Sequence, residues 1–449
     1  MLIINKVKKH WYLRFSRDEL PKFVRRCPVA MRFNALLQPL MWQGVLERKY
    51  QKGWRRKPTD WKAFLGAYFV KLEENFASMA QLRRYLCEHP ALVWVLGFTT
   101  DQHFDPDDIL PTTRHLSRLL RTIPNSYCQS LLDETVRALQ DKLPADFGDV
   151  ISLDTKHILA WVKENNPKAY VEDRHDKTKQ PQGDKDCKLG CKRRRNVSPE
   201  MSTPTSNPQS ASTINKGVGE FYWGYASGVV ATKVPGYGEF VLADYTQPFN
   251  CSDVSYFQPL MAQVERRLGK KPRFGAFDAA FDAFYVYDYF AQTSDWHDAF
   301  AAIPLTGRSK KRDYDLDGNP VCEAGLSMRF GYTFMSRTTR VEHERIHYSC
   351  PLKGQQQDTC PIQHKRWAKG GCTHRIPSSV GARLRHQIDR ESDLYKTIYK
   401  QRTATERINA QAFAMGIERP KLRNQQAISN NNTLIYALMN LRALRRLSL

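Results

Sequence analysis

From residue 221 to residue 305 the chain alternates between strand-like and helix-like hydrophobic patterns, and that alternation limits the fold more than any other feature. The runs FYWGYASGVVATKV (221–234) and GEFVLADYTQ (238–247) are rich in β-branched and aromatic residues, and PGYG between them predicts a hairpin. A helical run, VSYFQPLMAQVERRL, follows. Then come a short strand (RFGAFD), a helix (AAFDAFYVYDYFAQ) and another strand (FAAIPL). Upstream, GDVISLDTKHILAW (148–161) predicts one more strand, ending on Asp154. Strands separated by helices return in parallel, whereas a hairpin is antiparallel, so the expectation is an α/β core with a mixed sheet flanked by helices. The chain as a whole is then α+β.

The flanks divide the rest. In residues 1–145, Trp61, Phe64, Leu65, Tyr68, Phe69 and Leu72 recur at helical spacing, Ser78 and Gln81 form a capping-box pattern, and a further helix lies between Pro111 and Pro124. This part is expected to be an all-helical, DNA-binding domain. Residues 146–305 hold the first part of the core, interrupted by a polar insertion at about 163–216. Residues 306–390 read as an irregular insertion carrying cysteines and histidines, and 391–449 as the C-terminal helical part of the core.

Lysine and arginine total 69 against 46 acids, a formal net charge of +23. Such an excess suits a polyanion, because lysine and arginine on phosphates release condensed counterions. Nucleic acid is the expected partner. No apolar run reaches the roughly 18 residues that would cross a bilayer, so no membrane partner is expected. The N-terminus lacks an apolar export segment, which predicts a cytoplasmic, nucleoid-associated protein with its ten cysteines reduced.

Carboxylates are unexpected in a chain this basic unless they hold cations. Phosphoryl transfer on nucleic acid often uses two divalent ions, and magnesium or manganese takes hard oxygen ligands. Asp154 and Asp278 each end a predicted strand, while Tyr399, Arg402 and Glu406 share one face of a predicted helix. Asp278 is preferred over Asp282, which falls a turn into the next helix as a surface or supporting residue. Glu342 and Glu344 compete with Glu406 but lie in the irregular insertion.

In ISLDTKH, FGAFDAAFD and YKQRTATE, in that order, the chain resembles the DDE-type transposases of prokaryotic insertion sequences. Their late-helix signature is Tyr, two residues, Arg, three residues, Glu, six residues, Lys; here Phe413 stands at the lysine position. The resemblance implies an RNase H-like catalytic core in which Asp154, Asp278 and Glu406 bind two magnesium or manganese ions. Tyr399 and Arg402, with Asp282, would support the site or the DNA backbone. The implied activity is DNA transposition: cutting element ends and joining strands, as a homodimer on terminal inverted repeats and target DNA. Two other outcomes of the same ancestry are a DNA-binding protein without catalysis and a structure-specific nuclease.

Other residues carry weaker readings. Arg114, Arg118 and Arg121 form either a DNA-reading face or a solvated basic face. The run CKLGCKRRRN places Cys187 and Cys191 beside Lys192, Arg193 and Arg194, more readily a phosphate-binding loop than a zinc site. Cys350, Cys360, His364 and Cys372, with His374 nearby, could hold a structural zinc ion, although no tight cysteine pair is present. Tyr285 and Tyr289 read as core.

Overall fold

The computed structural model describes residues 19–48, 58–193, 219–291, 297–305, 313–337, 341–354 and 359–448, and helices dominate its described part before residue 141. These helices are α1 (Pro28–Leu37), α2 (Trp61–Glu73), α3 (Met79–Glu88), α4 (Pro90–Val95), α5 (Thr113–Thr122) and α6 (Asn125–Gln140). Strands β1 (Val150–Leu159), β2 (Lys188–Arg193), β3 (Gly219–Val234) and β4 (Gly238–Pro248) follow, then α7 (Phe257–Leu268). Next are β5 (Phe274–Ala276), α8 (Phe284–Phe290), β6 (Phe300–Ala302), β7 (Arg329–Ser336), β8 (His343–Ser349) and β9 (Thr373–Pro377). The chain ends with α9 (Val380–Gln387), α10 (Asp393–Lys400), α11 (Thr403–Ala414) and α12 (Gln425–Arg446). It divides into two units. Met1–Gly148, Leu153–Lys271 and Thr403–Leu449 form the first, and Asp149–Ser152 with Pro272–Arg402 the second.

In the first unit β3 is the longest strand. Its Gly219–Gly224 part pairs antiparallel with β2, and Tyr225–Val234 pairs antiparallel with β4. The PGYG turn fits its glycines, since Gly236 and Gly238 take φ values of 81° and 115° that side chains resist. β1 is the other neighbour of β3. Their approach requires Gly224, because a Cβ there would lie 2.1 Å from the Ile158 carbonyl oxygen. Two readings of this region are corrected. β1 does not end on Asp154 but continues five residues to Leu159. Part of the polar insertion is ordered as β2, and its Asp184 is buried, accepting from the Tyr225 hydroxyl at 2.7 Å and from the Asn424 N–H at 2.9 Å. Residues 194–216, with Arg194, lie outside the described residues.

α12 runs through the middle of this unit, packed against α1, α2, α5, α6 and β4. Its apolar residues Leu434, Ile435, Tyr436, Leu438 and Leu441 are buried, and so are Asn430, Asn431, Asn432, Thr433 and Asn440. A helix buried all round has to match every polar side chain it carries. Asn430 donates to the carbonyls of Leu120 and Ile123 at the C-terminal end of α5, where helix carbonyls lack partners of their own. Asn431 accepts from the Tyr68 hydroxyl of α2 at 2.8 Å. Asn440 accepts from the Val241 N–H at 3.0 Å and donates to the Val241 carbonyl at 2.8 Å, so its carboxamide pairs with the open edge of β4 as another strand would.

The second unit is built on parallel pairing. Val150, Ile151 and Ser152 of β1 lie opposite Phe274, Gly275 and Ala276, and β5 pairs in parallel with β6. This arrangement, with the antiparallel hairpin of the first unit, is the expected mixed sheet with helices. Residues 313–377 contribute a separate antiparallel sheet, β7–β8–β9. The region expected to be irregular therefore has regular pairing where it is described.

Asn440→Leu should leave both polar groups of Val241 buried and unmatched, at a cost of about 2–4 kcal/mol. A urea midpoint equal to wild type, at unchanged slope, would refute the edge-pairing role. Asp244, fully buried, accepts from Thr433 at 2.9 Å and Gln129 at 3.0 Å. Burial pushes its carboxyl from 3.8 up to about 6, against the opposing pull of Arg267 and those two hydrogen bonds. A value raised on folding means stability present below about pH 4 and lost as the pH rises through 6. Asp244→Asn cannot ionise, so its stability relative to wild type should rise by up to ~3 kcal/mol between pH 4 and pH 7. Urea titrations at both pH values giving a constant difference would refute this.

Candidate functional site

In the first unit, β1 carries Asp154 two residues past Ser152, and α11 carries Glu406, itself exposed, in its first turn. Three residues after Glu406, one turn along the same helix, Asn409 is buried and donates from Nδ2 to Oδ2 of Asp154 at 3.0 Å. Asn409 was not singled out from sequence; its i+3 spacing from Glu406 was the available signal. The Asn409 Oδ1 has no hydrogen-bond partner. The amide therefore fixes one carboxylate oxygen of Asp154 relative to the helix that bears Glu406.

Beside it on β1, Lys156 pairs with Glu418 at 3.1 Å, and its ammonium lies 5.2 Å from the centre of the Phe413 ring. Phe413 is 58% exposed on α11 even so, and the lysine charge meets one side of an aromatic that still faces water. His157 packs against Phe249 with ring centres 4.5 Å apart and planes tilted by 52°. Burial, helped by Lys192 and Lys156, pushes its imidazole down to about 4, which keeps it neutral at pH 7.

In the second unit, Asp278 follows Ala276 by two residues and caps a 3₁₀ turn, accepting from the Ala280 N–H at 2.9 Å. Asp282 is neither on a helix nor at the surface. The predicted helix 279–292 is a 3₁₀ turn (Ala279–Phe281) followed by α8, and Asp282 lies between them with its side chain fully buried. Arg385 of α9 grips it with two hydrogen bonds of 2.6 and 2.5 Å, and the Tyr287 hydroxyl donates to it at 3.1 Å. Its role is thus to hold the segment that follows Asp278.

Tyr399, Arg402 and Glu406 do not lie on one continuous helix. α10 ends at Lys400 and α11 begins at Thr403; Arg402 is half-buried in the break, its N–H donating to the Tyr399 carbonyl at 3.0 Å. Tyr399 stacks on Tyr395 at 5.9 Å, and Tyr395 on Phe300 of β6 at 6.3 Å. This aromatic column orients the last turn of α10.

Arg114, Arg118 and Arg121 stand exposed on α5, while Leu116, Leu119 and Leu120 are buried beneath them. Burial, with Arg118 and Arg48 nearby, lowers the pKa of His115 on the same helix. Lys192 is exposed on β2. All ten cysteines are free thiols. Among the described residues, no group of three or more His, Cys, Asp or Glu stands at metal-holding spacing, and no helix is long and apolar enough to cross a membrane.

Comparison with protein-family models, with curated proteins and with solved structures finds no match for this chain.

Arg385→Leu should destabilise the second unit by about 3–5 kcal/mol, because it strands a buried carboxylate. Adding Asp282→Asn should recover part of that loss. Thermal unfolding in which the single and double variants are equally destabilised would contradict the pairing.

Proposed function

We propose that this chain is a DNA transposase with an RNase H-like core, cutting element ends and joining strands at Asp154, Asp278 and Glu406. The observation that carries the reading is strand register. Ser152 and Ala276 are opposite one another in a parallel pair, and Asp154 and Asp278 each follow by two residues. Asn409 adds support, since it ties Asp154 to the helix bearing Glu406.

Three carboxylates are a hard-oxygen donor set, which suits magnesium or manganese rather than a soft metal. Two such ions, when bound, would activate the attacking oxygen and stabilise the leaving one. The chain's own residues then have distinct tasks. Asn409 holds Asp154 in one rotamer, and the Asp282–Arg385 pair steadies the turn after Asp278. Arg402 and Tyr399 would meet the phosphate backbone, with Arg402 offering a planar pair of donors. Arg114, Arg118 and Arg121 on α5, with the basic run at Lys192, would hold duplex DNA through its phosphates. The protein would act on DNA as a homodimer in the cytoplasm, at the nucleoid.

The test uses a DNA fragment carrying the inverted repeats that bracket the gene, with magnesium present. Wild type should nick and join. Asp154→Asn, Asp278→Asn and Glu406→Gln should each lose at least about 10³-fold in cleavage rate, several kcal/mol of charge stabilisation, while still binding the fragment. Wild-type cutting by Asp154→Asn would remove that residue from the mechanism. Cutting without joined products would favour a nuclease, and binding without cutting a non-catalytic DNA-binding protein.

A further inference from the structure

In the second unit, away from the carboxylates, Cys322, Cys350, Cys360, His364 and Cys372 line a single cavity. Strand pairing brings two of them together. Cys350 follows the last residue of β8 and Cys372 precedes the first of β9, and Ser349 lies opposite Thr373. Their side chains hydrogen-bond, and Cys322 is close enough to Cys372 to act on it electrostatically.

The backbone at these cysteines is shaped alike. Cys322 opens a turn closed by the Gly325 N–H on its carbonyl at 2.9 Å, with Gly325 at φ 77°. Cys360 opens a turn closed by the Gln363 N–H at 2.9 Å, with Gln363 at φ 47°, a conformation rare for a residue with a side chain. At Cys350 the N–H groups of Leu352, Lys353 and Cys372 donate to the sulfur. Converging N–H donors commonly surround the sulfur of metal-bound cysteine. Gly371, at φ 88°, makes the crossing possible: a Cβ there would stand 2.6 Å from the Cys350 Cβ and 3.2 Å from its sulfur.

Among the described residues, the apolar core of this part of the fold is small. The buried cluster beneath β7–β8–β9 is Met328, Tyr348 and Ile376, with Tyr314, Cys322, Ile346 and Cys372 only partly buried against it. A core of that size does not order three strands and their long loops without a cross-link.

We propose that Cys322, Cys350, Cys360 and Cys372 bind one zinc ion as a tetrahedral four-thiolate structural site. His364 is set aside because its Nδ1 already accepts the Arg366 N–H at 3.2 Å. In the neutral ring that leaves the proton on Nε2, so neither nitrogen offers a lone pair. The side chains ring the cavity at more than coordination spacing, as no group of three is placed to hold an ion. Binding therefore draws the turns at Cys322 and Cys360 inward, with loss of the thiol protons to solvent. The assignment is independent of the reading of Asp154, Asp278 and Glu406.

The experiment measures metal content of the full chain produced in zinc-supplemented medium, with an organomercurial to release thiolate-bound metal. One zinc per chain released by the reagent is expected, and cobalt exchanged into the site should show intense thiolate charge-transfer absorption. Cys322→Ser and Cys360→Ser should each lower zinc at least tenfold. Cys360→His, which keeps a ligand, should retain it, as should Cys27→Ser, Cys251→Ser and His364→Asn. Retention in Cys360→His separates ligation from packing if the serine variants fail to fold. A wild-type chain that takes up neither zinc nor cobalt would overturn the proposal. So would full zinc in Cys322→Ser with loss in His364→Asn, or a thiol count in denaturant showing these four cysteines as disulfides.

Discussion

The first unit depends on one demand: a 22-residue helix buried on every side must find partners for its polar side chains. α12 meets it by turning its asparagines into connections. Asn430 caps α5, Asn431 receives Tyr68 of α2, Asn432 donates to Thr246 of β4, and Asn440 pairs with the backbone of β4. Each hydrogen bond is worth little by itself, about 1 kcal/mol net, but leaving its groups unmatched costs more, and that asymmetry fixes the helix in one register. A purely apolar helix of the same length could slide or rotate among several packings. The N-terminal helices and the hairpin thus share one axial reference, and β1 and α11 are positioned within the same frame.

That frame bears on the candidate site. A catalytic carboxylate is useful only if its rotamer is held, because small errors in placement are costly. Asp154 sits in the middle of a ten-residue strand and receives a hydrogen bond from a buried amide. Asp278 is held by a turn of its own backbone, and that turn is anchored by the ion pair of Asp282 with Arg385. The two carboxylates are thus held by different devices: strand rigidity for Asp154, and a capped turn with a buried charge pair for Asp278. Glu406, in contrast, is exposed in the first turn of α11, directly after the break at Arg402. A short break before a helix lets its first turn adjust without unwinding the rest.

Much of this was legible in the sequence wherever local chemistry decides local structure. The apolar rhythm from Trp61 to Leu72 became α2, the capping box at Ser78 and Gln81 became the start of α3, and PGYG became the β3–β4 turn. The misses share a different cause. β1 continues past Asp154 through Thr155, Lys156 and His157, polar residues that read as a strand end. Thr155 donates to Asp253 and Lys156 pairs with Glu418, partners about 100 and 260 residues away that no local window reveals. β2 was hidden in the same way: its strand forms because β3 offers an edge at Gly219–Gly224. The break at Arg402 left no mark, because YKQRTATE has helix-compatible residues throughout, and Asp282 looked like surface because its partner Arg385 is far along the chain.

The two units also hold themselves together by different means, and this predicts where each is fragile. The first has a broad apolar core, so removing one methyl group costs only its own burial and a small cavity. In the second, a buried core that includes Phe277, Phe281, Val286, Phe290, Ile303 and Leu384 is supplemented by point contacts: the Asp282–Arg385 pair, Asp288 accepting the Gly381 N–H at 2.7 Å, Arg390 donating to the Ile303 carbonyl at 3.0 Å, and the column Phe300–Tyr395–Tyr399. Point contacts between charged or polar groups specify geometry sharply but fail singly and completely when one partner is lost. The three-stranded sheet β7–β8–β9 is the extreme case, with Phe330, Tyr332 and Met335 exposed on β7 and, among the described residues, a small buried cluster of Met328, Tyr348 and Ile376 against it. Its strand pairing alone does not offset the conformational entropy of the loops between its strands. A cross-link at Cys322, Cys350, Cys360 and Cys372 would act where those loops converge on one cavity, and would add to the sheet a restraint that its strand pairing does not supply.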